Sequence, residues 1–526
     1  MRSVRLIAVI SIGLLFASPT FADEIPAKGK ITAVDLFKNG LAVVKCEVTL
    51  GKPGTYVMDE VPQPIHGTYS VEGGATVETL VQMRDVDVPA ADVQPGNLQE
   101  DLAGKKVTVH FRGEKRPPAV GTMMKIKPAK GEDLVTNPGR FIILQTGNER
   151  SYIETSEIGS IVAADAGDTV KRSRPRLVLT LGATDKAETK VTIRYLTRGL
   201  AWAPSYKIDI TDPKSLTLEQ HAVVRNELSD LKDAEVRLIS GYPSVQFSHV
   251  LSPLAPRVNW AAFFQQLGNG GGRDNDLAGN SVVSQQLAMN NYRGATFDLA
   301  LGAIPAGEGV DLHYQPIGKR TLAEGDSLAL TVAKGKADYE RVVEWVVPDN
   351  RDYTGRYDRR QHGEDDSAWD ALRFKNPLAF PMTTGPATVV SGGQFNGQRT
   401  SFWVNAGEET LLRVGKALSI RTRTIEHEVL NKENTRDLVW IGGNQYRRSI
   451  VEGELGMSNH RKETVQLMIR RQFSGDLVKA DGEPKSSLRE EGVFSINKRN
   501  ELLWALPLKS GEERILKYSY TVLVPH

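Results

Sequence analysis

Apolar and polar residues alternate with a period of two in one short run after another of this chain, and glycine, proline or asparagine punctuates the runs. Leu216 and Leu218 alternate with Thr217 and Glu219, and Val107, Val109 and Phe111 with Thr108 and His110. Such a pattern gives each strand one face to bury and leaves few stretches with the period of an amphipathic helix. Between Ile31 to Phe37 and Leu41 to Leu50 stand Lys38-Asn39-Gly40, and Asn-Gly tolerates the positive φ of a tight hairpin turn. The expectation is an all-β, multidomain protein of immunoglobulin-like β-sandwiches. With 526 residues, and about 150 per domain, roughly three domains fit.

A first β module covers 23–100. A second, 101–165, carries Lys106 to Phe111, Ala119 to Ile126, Arg140 to Thr146 and Ser151 to Val162, whose length and spacing resemble a small SH3-like or Sm-like barrel, read as a structural insert. From 166 to 526 strands recur at sandwich intervals. About 259–308 they give way to glutamine, glycine and asparagine, which bury too little apolar area to offset chain entropy. That segment reads as a mobile insertion in which Phe263-Phe264 or Val282-Val283 docks locally at most.

The chain opens with Arg2 and Arg5, an apolar run from Leu6 to Ala17, and Ser18-Pro19-Thr20-Phe21-Ala22. The run is shorter than the about 20 helical residues that span a bilayer, and small residues precede the expected cut. This predicts a secretory signal peptide over 1–22, export to the periplasm or beyond the cell, and no transmembrane span in the mature chain. Removing two arginines turns 66 basic against 64 acidic residues into 64 against 64, so no basic excess points to nucleic acid. The basic knot Lys171-Arg172-Ser173-Arg174-Pro175-Arg176 reads as a solvated linker. The single cysteine, Cys46, excludes intramolecular disulfides and reads as a small buried hydrophobe. A surface with 25% charged and 7% aromatic residues argues against a membrane barrel, which needs an apolar band and aromatic girdles.

No zincin, nucleophile-elbow, phosphate-loop or paired Cys-x-x-Cys motif is present, and the nine histidines lack ligand spacing. The densest polar constellation is the loop Asp349 to Asp370, where Asp352, Asp358, His362 and Asp365 are the candidate metal ligands. Clustered carboxylates suit hard cations, but the alternation and closing glutamate of an EF-hand are missing, and Arg351, Arg356, Arg359 and Arg360 neutralise the loop. It therefore reads as solvated. Gly271 to Gly279 loosely resembles a calcium-binding nonapeptide repeat, but one copy builds no roll. No cofactor is expected.

Tyr195-Leu-Thr-Arg-Gly-Leu-Ala-Trp-Ala-Pro-Ser-Tyr206, Ala222-Val-Val-Arg-Asn226 and Leu231-Lys-Asp-Ala-Glu-Val-Arg-Leu238 together resemble the DUF4139 domain of mucoidy-inhibitor-like proteins. Met382 to Ser391 with Gly397, and Trp504 to Glu512 through Tyr518-Ser-Tyr-Thr-Val522 and Pro525, are similar to its later strands. The first module is similar to the DUF4140-like β domain that precedes it in that family. Many members carry a long coiled coil between the two parts, where this chain has the barrel-like module and no heptads. The resemblance implies an envelope-associated all-β protein and supplies no catalytic residues. Trp202 and Tyr206 read as core packing.

The functional expectation is a non-catalytic binding or scaffold protein of the envelope whose partner is a protein or a glycan. The alternatives are a metal-dependent hydrolase using the Asp349 to Asp370 loop and an adhesion module that self-associates through exposed strand edges.

Overall fold

The computed structural model describes residues 24–89, 98–113, 116–125, 140–164, 167, 169–184, 187–241, 243, 245–256, 258–269, 312–352, 354–356, 367–429, 438–490 and 495–526. The predicted signal segment lies outside them. The fold is all-β. Among the described residues the helical elements are Leu98–Asp101, Trp260–Asn269 and a 3-10 turn at Thr155–Glu157. No helix among them is long and apolar enough to cross a membrane.

The chain divides into two compact units. The first comprises Met1–Lys30, Cys46–Tyr195 and Val250–Gln266. In its four-stranded sheet, Thr169–Leu181 lies between Gly54–Met58 and Val77–Pro89 and pairs with the latter along its whole length. The basic knot is therefore part of a strand, not a linker. Arg172 pairs with Asp101 and Arg176 with Asp59, so carboxylates from neighbouring segments offset the charge of the strand. Cys46 is buried, as its β-like surroundings predicted, and burial followed by Glu60 and Glu47 pushes its thiol up to about 12.

The small module of this unit is one antiparallel sheet in the order Glu149–Glu154, Phe141–Thr146, Ala119–Met123, Lys106–Phe111, Ile158–Ala163. Val107, Val109, Met123, Ile142, Leu144, Ile153 and Ile158 form its core. The expected barrel does not close. The 3-10 turn at Thr155–Glu157 splits what alternation presented as one strand, and the two halves sit at opposite edges of the sheet. The predicted insertion at 259–308 begins with the helix Trp260–Asn269, in which Phe263 is buried edge-on against His66, the ring centroids 4.8 Å apart. The rest of that insertion, Gly271 to Gly279 included, lies outside the described residues.

The second unit comprises Ile31–Lys45, Leu196–His249 and Leu267–His526. Its hairpin turns at Asn39-Gly40, with Gly40 at φ +82°, as the sequence predicted. Leu231–Ser240 runs parallel to residues 33–37, tied by Arg237 Nη2 to Asp35 Oδ2 at 2.9 Å. The organising element is Ser327–Val347, a single 21-residue strand, where alternation alone predicts two, Ser327 to Val332 and Tyr339 to Pro348. Its first part pairs with Ser215–Asn226, and its second with Ala368–Lys375 and, in parallel, with Val465–Ser474. One ten-stranded sheet thus serves two cores. The first gathers Tyr206, Ile208, Leu216, Leu218, Met382 and Val389. There Tyr206 Oη donates to Thr383 O at 2.8 Å and accepts from Thr383 N at 2.7 Å, while Trp202 Nε1 donates to Ile239 O at 3.1 Å. Both aromatics are core residues, and Gly199 at φ +104° makes the corner before them.

The second core is a sandwich. A five-stranded sheet of Ile420–Val429, Asn444–Asn459, Glu513–Pro525 and Asp476–Ala480, with Leu438–Ile441 added to Asn444–Asn459, packs on the far end of the ten-stranded sheet. Trp345, Leu467, Ile469, Phe473, Trp504, Leu455 and Tyr520 fill the space between them.

Candidate functional site

Along Val465–Ser474 the inward positions are Val465, Leu467, Ile469, residue 471 and Phe473, and residue 471 is arginine. Only 3% of Arg471 is exposed. An arginine so placed needs a partner for each donor. Its Nε donates to Tyr518 Oη at 2.8 Å, Nη1 to Pro348 O at 2.7 Å and to Gln472 O, and Nη2 to Glu426 Oε1 at 2.6 Å. Tyr518 Oη passes the bond on, donating to the same Glu426 oxygen at 2.6 Å, and Tyr520 Oη reaches it at 3.3 Å.

Burial opposes the charge on Glu426, but the Arg471 guanidinium and the bonds from Tyr518 and Arg471 outweigh it and hold the carboxyl below its ordinary value. Burial of Arg471 is likewise outweighed by Glu426, so its charge is fixed. Burial pushes Tyr520 up to about 12 and Tyr518 higher still. The same cause raises Asp349 against the pull of Arg471.

Beside this network opens a cleft of about 330 Å³ lined chiefly by Asn350, Arg351, Thr424, Glu426, Glu428 and Arg471. Thr424, Glu426 and Glu428 stand at alternate positions of the edge strand Ile420–Val429, opposite Leu455, Gly453 and Val451, and so share the inner face. Glu428 is held by both Nη atoms of Arg447 and by Ser449 Oγ, which keep it ionised below its ordinary pKa. Arg351 Nη1 donates to Gly355 O at 3.3 Å. Two buried oxygens of the lining, Asn350 Oδ1 and Thr424 Oγ1, have no hydrogen-bond partner among the described residues.

Gly453 seats the Tyr518 ring, because a Cβ there would run into its Cζ, Cε1 and Oη. Gly453→Ala is expected to cost about 1–3 kcal/mol by overpacking and to pull Tyr518 off Glu426. Urea unfolding of the full chain reads this, and a variant as stable as wild type would mean the ring has room elsewhere.

Of the residues the sequence nominated, Asp352 is a turn residue. Its Oδ1 accepts from Thr354 N at 2.9 Å, Thr354 Oγ1 at 2.7 Å and Arg356 N at 2.9 Å, bonds that outweigh burial and lower its pKa. Asp358, His362 and Asp365 lie outside the described residues. Among the described residues no three His, Cys, Asp or Glu side chains converge as a metal site would require. The start of the nominated loop does contribute, through Asn350 and Arg351, but by an amide and a guanidinium and not by its acids. Arg471, Glu426 and Glu428 were not nominated. The available signal was Arg471 itself, an ionisable residue in the buried phase of an alternating run.

No family model matches the chain, and no curated protein matches it in sequence.

Proposed function

We propose that this chain is an exported, non-catalytic binding protein of the cell envelope, related to the DUF4139 family, whose polar ligand seats in the cleft beside Arg471. The observation that carries the reading is the pairing of committed charges with uncommitted acceptors. Arg471, Glu426 and Glu428 are each tied to protein partners, while Asn350 Oδ1 and Thr424 Oγ1 are buried without one. A buried oxygen left unpaired is costly, and a ligand donating to both would remove that cost on binding.

Charges locked in one protonation state suit recognition better than proton transfer, which calls for a group poised near the working pH. Asp349, the carboxyl that burial pushes up, is already engaged on both oxygens, by Ser474 Oγ and by Arg351 N. This favours binding over the hydrolase alternative.

The test uses the mature chain immobilised and exposed to isolated envelopes separated into soluble-protein and polysaccharide fractions. Wild type is expected to retain material from one fraction and release it chemically unchanged, and Thr424→Trp, which fills the cleft, to lose at least about tenfold in retention. Cleavage of the retained material, or equal retention by Thr424→Trp, would overturn the reading.

A further inference from the structure

We infer that the ligand is an extended, uncharged glycan that runs from the cleft over the half-buried Glu428–Arg447 ion pair to Trp440 at the end of the five-stranded sheet, an inference that rests on the cleft being a binding site. Strand register supplies the geometry. Glu428 stands opposite Val451, Leu438 opposite Arg447 and Trp440 opposite Gln445. Residues 445, 447, 449 and 451 alternate onto one face of Asn444–Asn459, so Glu428 and Trp440 lie on that face too. Arg447 and Ser449, both bound to Glu428, occupy the positions between. From Val451 to Gln445 the strand advances about 20 Å, the reach of an oligosaccharide and well beyond one sugar ring.

The chemistry of the lining selects the class. Both signs line the path, Arg351, Arg447 and Arg471 beside Glu426 and Glu428, so an anionic ligand would meet two carboxylates and a cationic one three guanidinium groups. Hydroxyl groups meet neither penalty. They both donate and accept, which suits the forked guanidinium and carboxylate groups, and they supply the donors that Asn350 Oδ1 and Thr424 Oγ1 lack. A cleft of about 330 Å³ is at the small end for ligand pockets and suits a terminal ring. Trp440 is 69% exposed in the short strand Leu438–Ile441, an unusual setting for the largest amphipathic side chain. Its indole offers an apolar plate on which the C–H face of a pyranose packs.

The experiment titrates the full mature chain by calorimetry with neutral glucose and N-acetylglucosamine oligomers of increasing length, beginning with the monosaccharides. Affinity is expected to rise with length until the chain spans the face. Trp440→Ala is expected to reduce affinity for the longest oligomer about tenfold while leaving the monosaccharide unchanged. The exposed position of Trp440 makes loss of folding an implausible cause, and unchanged urea unfolding of the variant checks it. Length-independent affinity, an unaffected long oligomer in Trp440→Ala, or no binding of any oligomer would each overturn the glycan assignment. The cleft reading itself then stands or falls by the Thr424→Trp retention assay, which does not depend on Trp440.

Discussion

Replacing Arg471 with methionine is expected to destabilise the C-terminal sandwich by roughly 2–3 kcal/mol, less than the about 3–5 kcal/mol for a fully buried ion pair because the Glu426 side chain is 25% exposed and water reaches it. The change leaves Glu426 without its counter-ion and Pro348 O and Tyr518 Oη without their donors. Removing both charges together, in Arg471→Met with Glu426→Leu, should recover much of the loss, because no charge is then left unpaired. The pH dependence has a definite sign. The carboxyl of Glu426 is lower in the folded chain than its ordinary 4.5, so between those two values the unfolded chain binds more protons and stability rises with pH. The stabilisation is complete above about 4.5 and disappears as pH falls through the folded value. The gap between wild type and Arg471→Met should therefore be steady near neutrality and narrow in acid. Urea midpoints followed by tryptophan fluorescence measure both effects. A double variant no more stable than the single, or a gap indifferent to acid, would show that Glu426 does not need this cation.

The alternation that announced strands also determined which residues share a core, because period two is a local property that each strand carries in its own sequence. Leu216, Leu218, Val107 and Val109 are all buried where the pattern placed them. What alternation does not encode is continuity across turn-like residues. Gly335 sits inside Ser327–Val347 because Pro377 leaves no space for a side chain there, a constraint from a distant segment. The cleft was harder still to read. Arg470 and Arg471 are adjacent on Val465–Ser474 and point to opposite sides of the sheet. Arg470 Nη2 meets Glu501 at 2.8 Å, and Arg471 enters the sandwich core to meet Glu426. Partners 31 and 45 residues away decide that, and no spacing rule reports them. Density of acids drew attention to Asp349 to Asp370, whereas the lining of the cleft depends on which side chains the register turns inward.

Lys38 gives the second large effect. The sequence presents it as an ordinary turn residue before Asn39-Gly40, but only 5% of it is exposed, and its Nζ donates to Thr384 O at 3.3 Å. Burial lowers it from 10.5 to about 7. Between those values the unfolded chain holds a proton that the folded chain has released, so stability climbs with pH by up to about 1.4 kcal/mol per unit. Below about 7 both states carry the proton, and the penalty for burying the charge is present in full. The rise has an upper bound near pH 9, where the thiol of Cys46 begins to titrate in the unfolded chain but, held at about 12, not in the folded one, a slope of opposite sign that offsets that of Lys38 and levels the curve. The window is thus about 7 to 9. Lys38→Met keeps the length of the side chain and removes its charge. It should be more stable than wild type at pH 6–7 by several kcal/mol and converge toward it as pH increases. Urea midpoints collected at half-unit steps from pH 6 to 9 would display two converging curves. Parallel curves would mean that Lys38 keeps its ordinary ionisation in the folded chain, with water or an acid reaching Nζ beside Thr384.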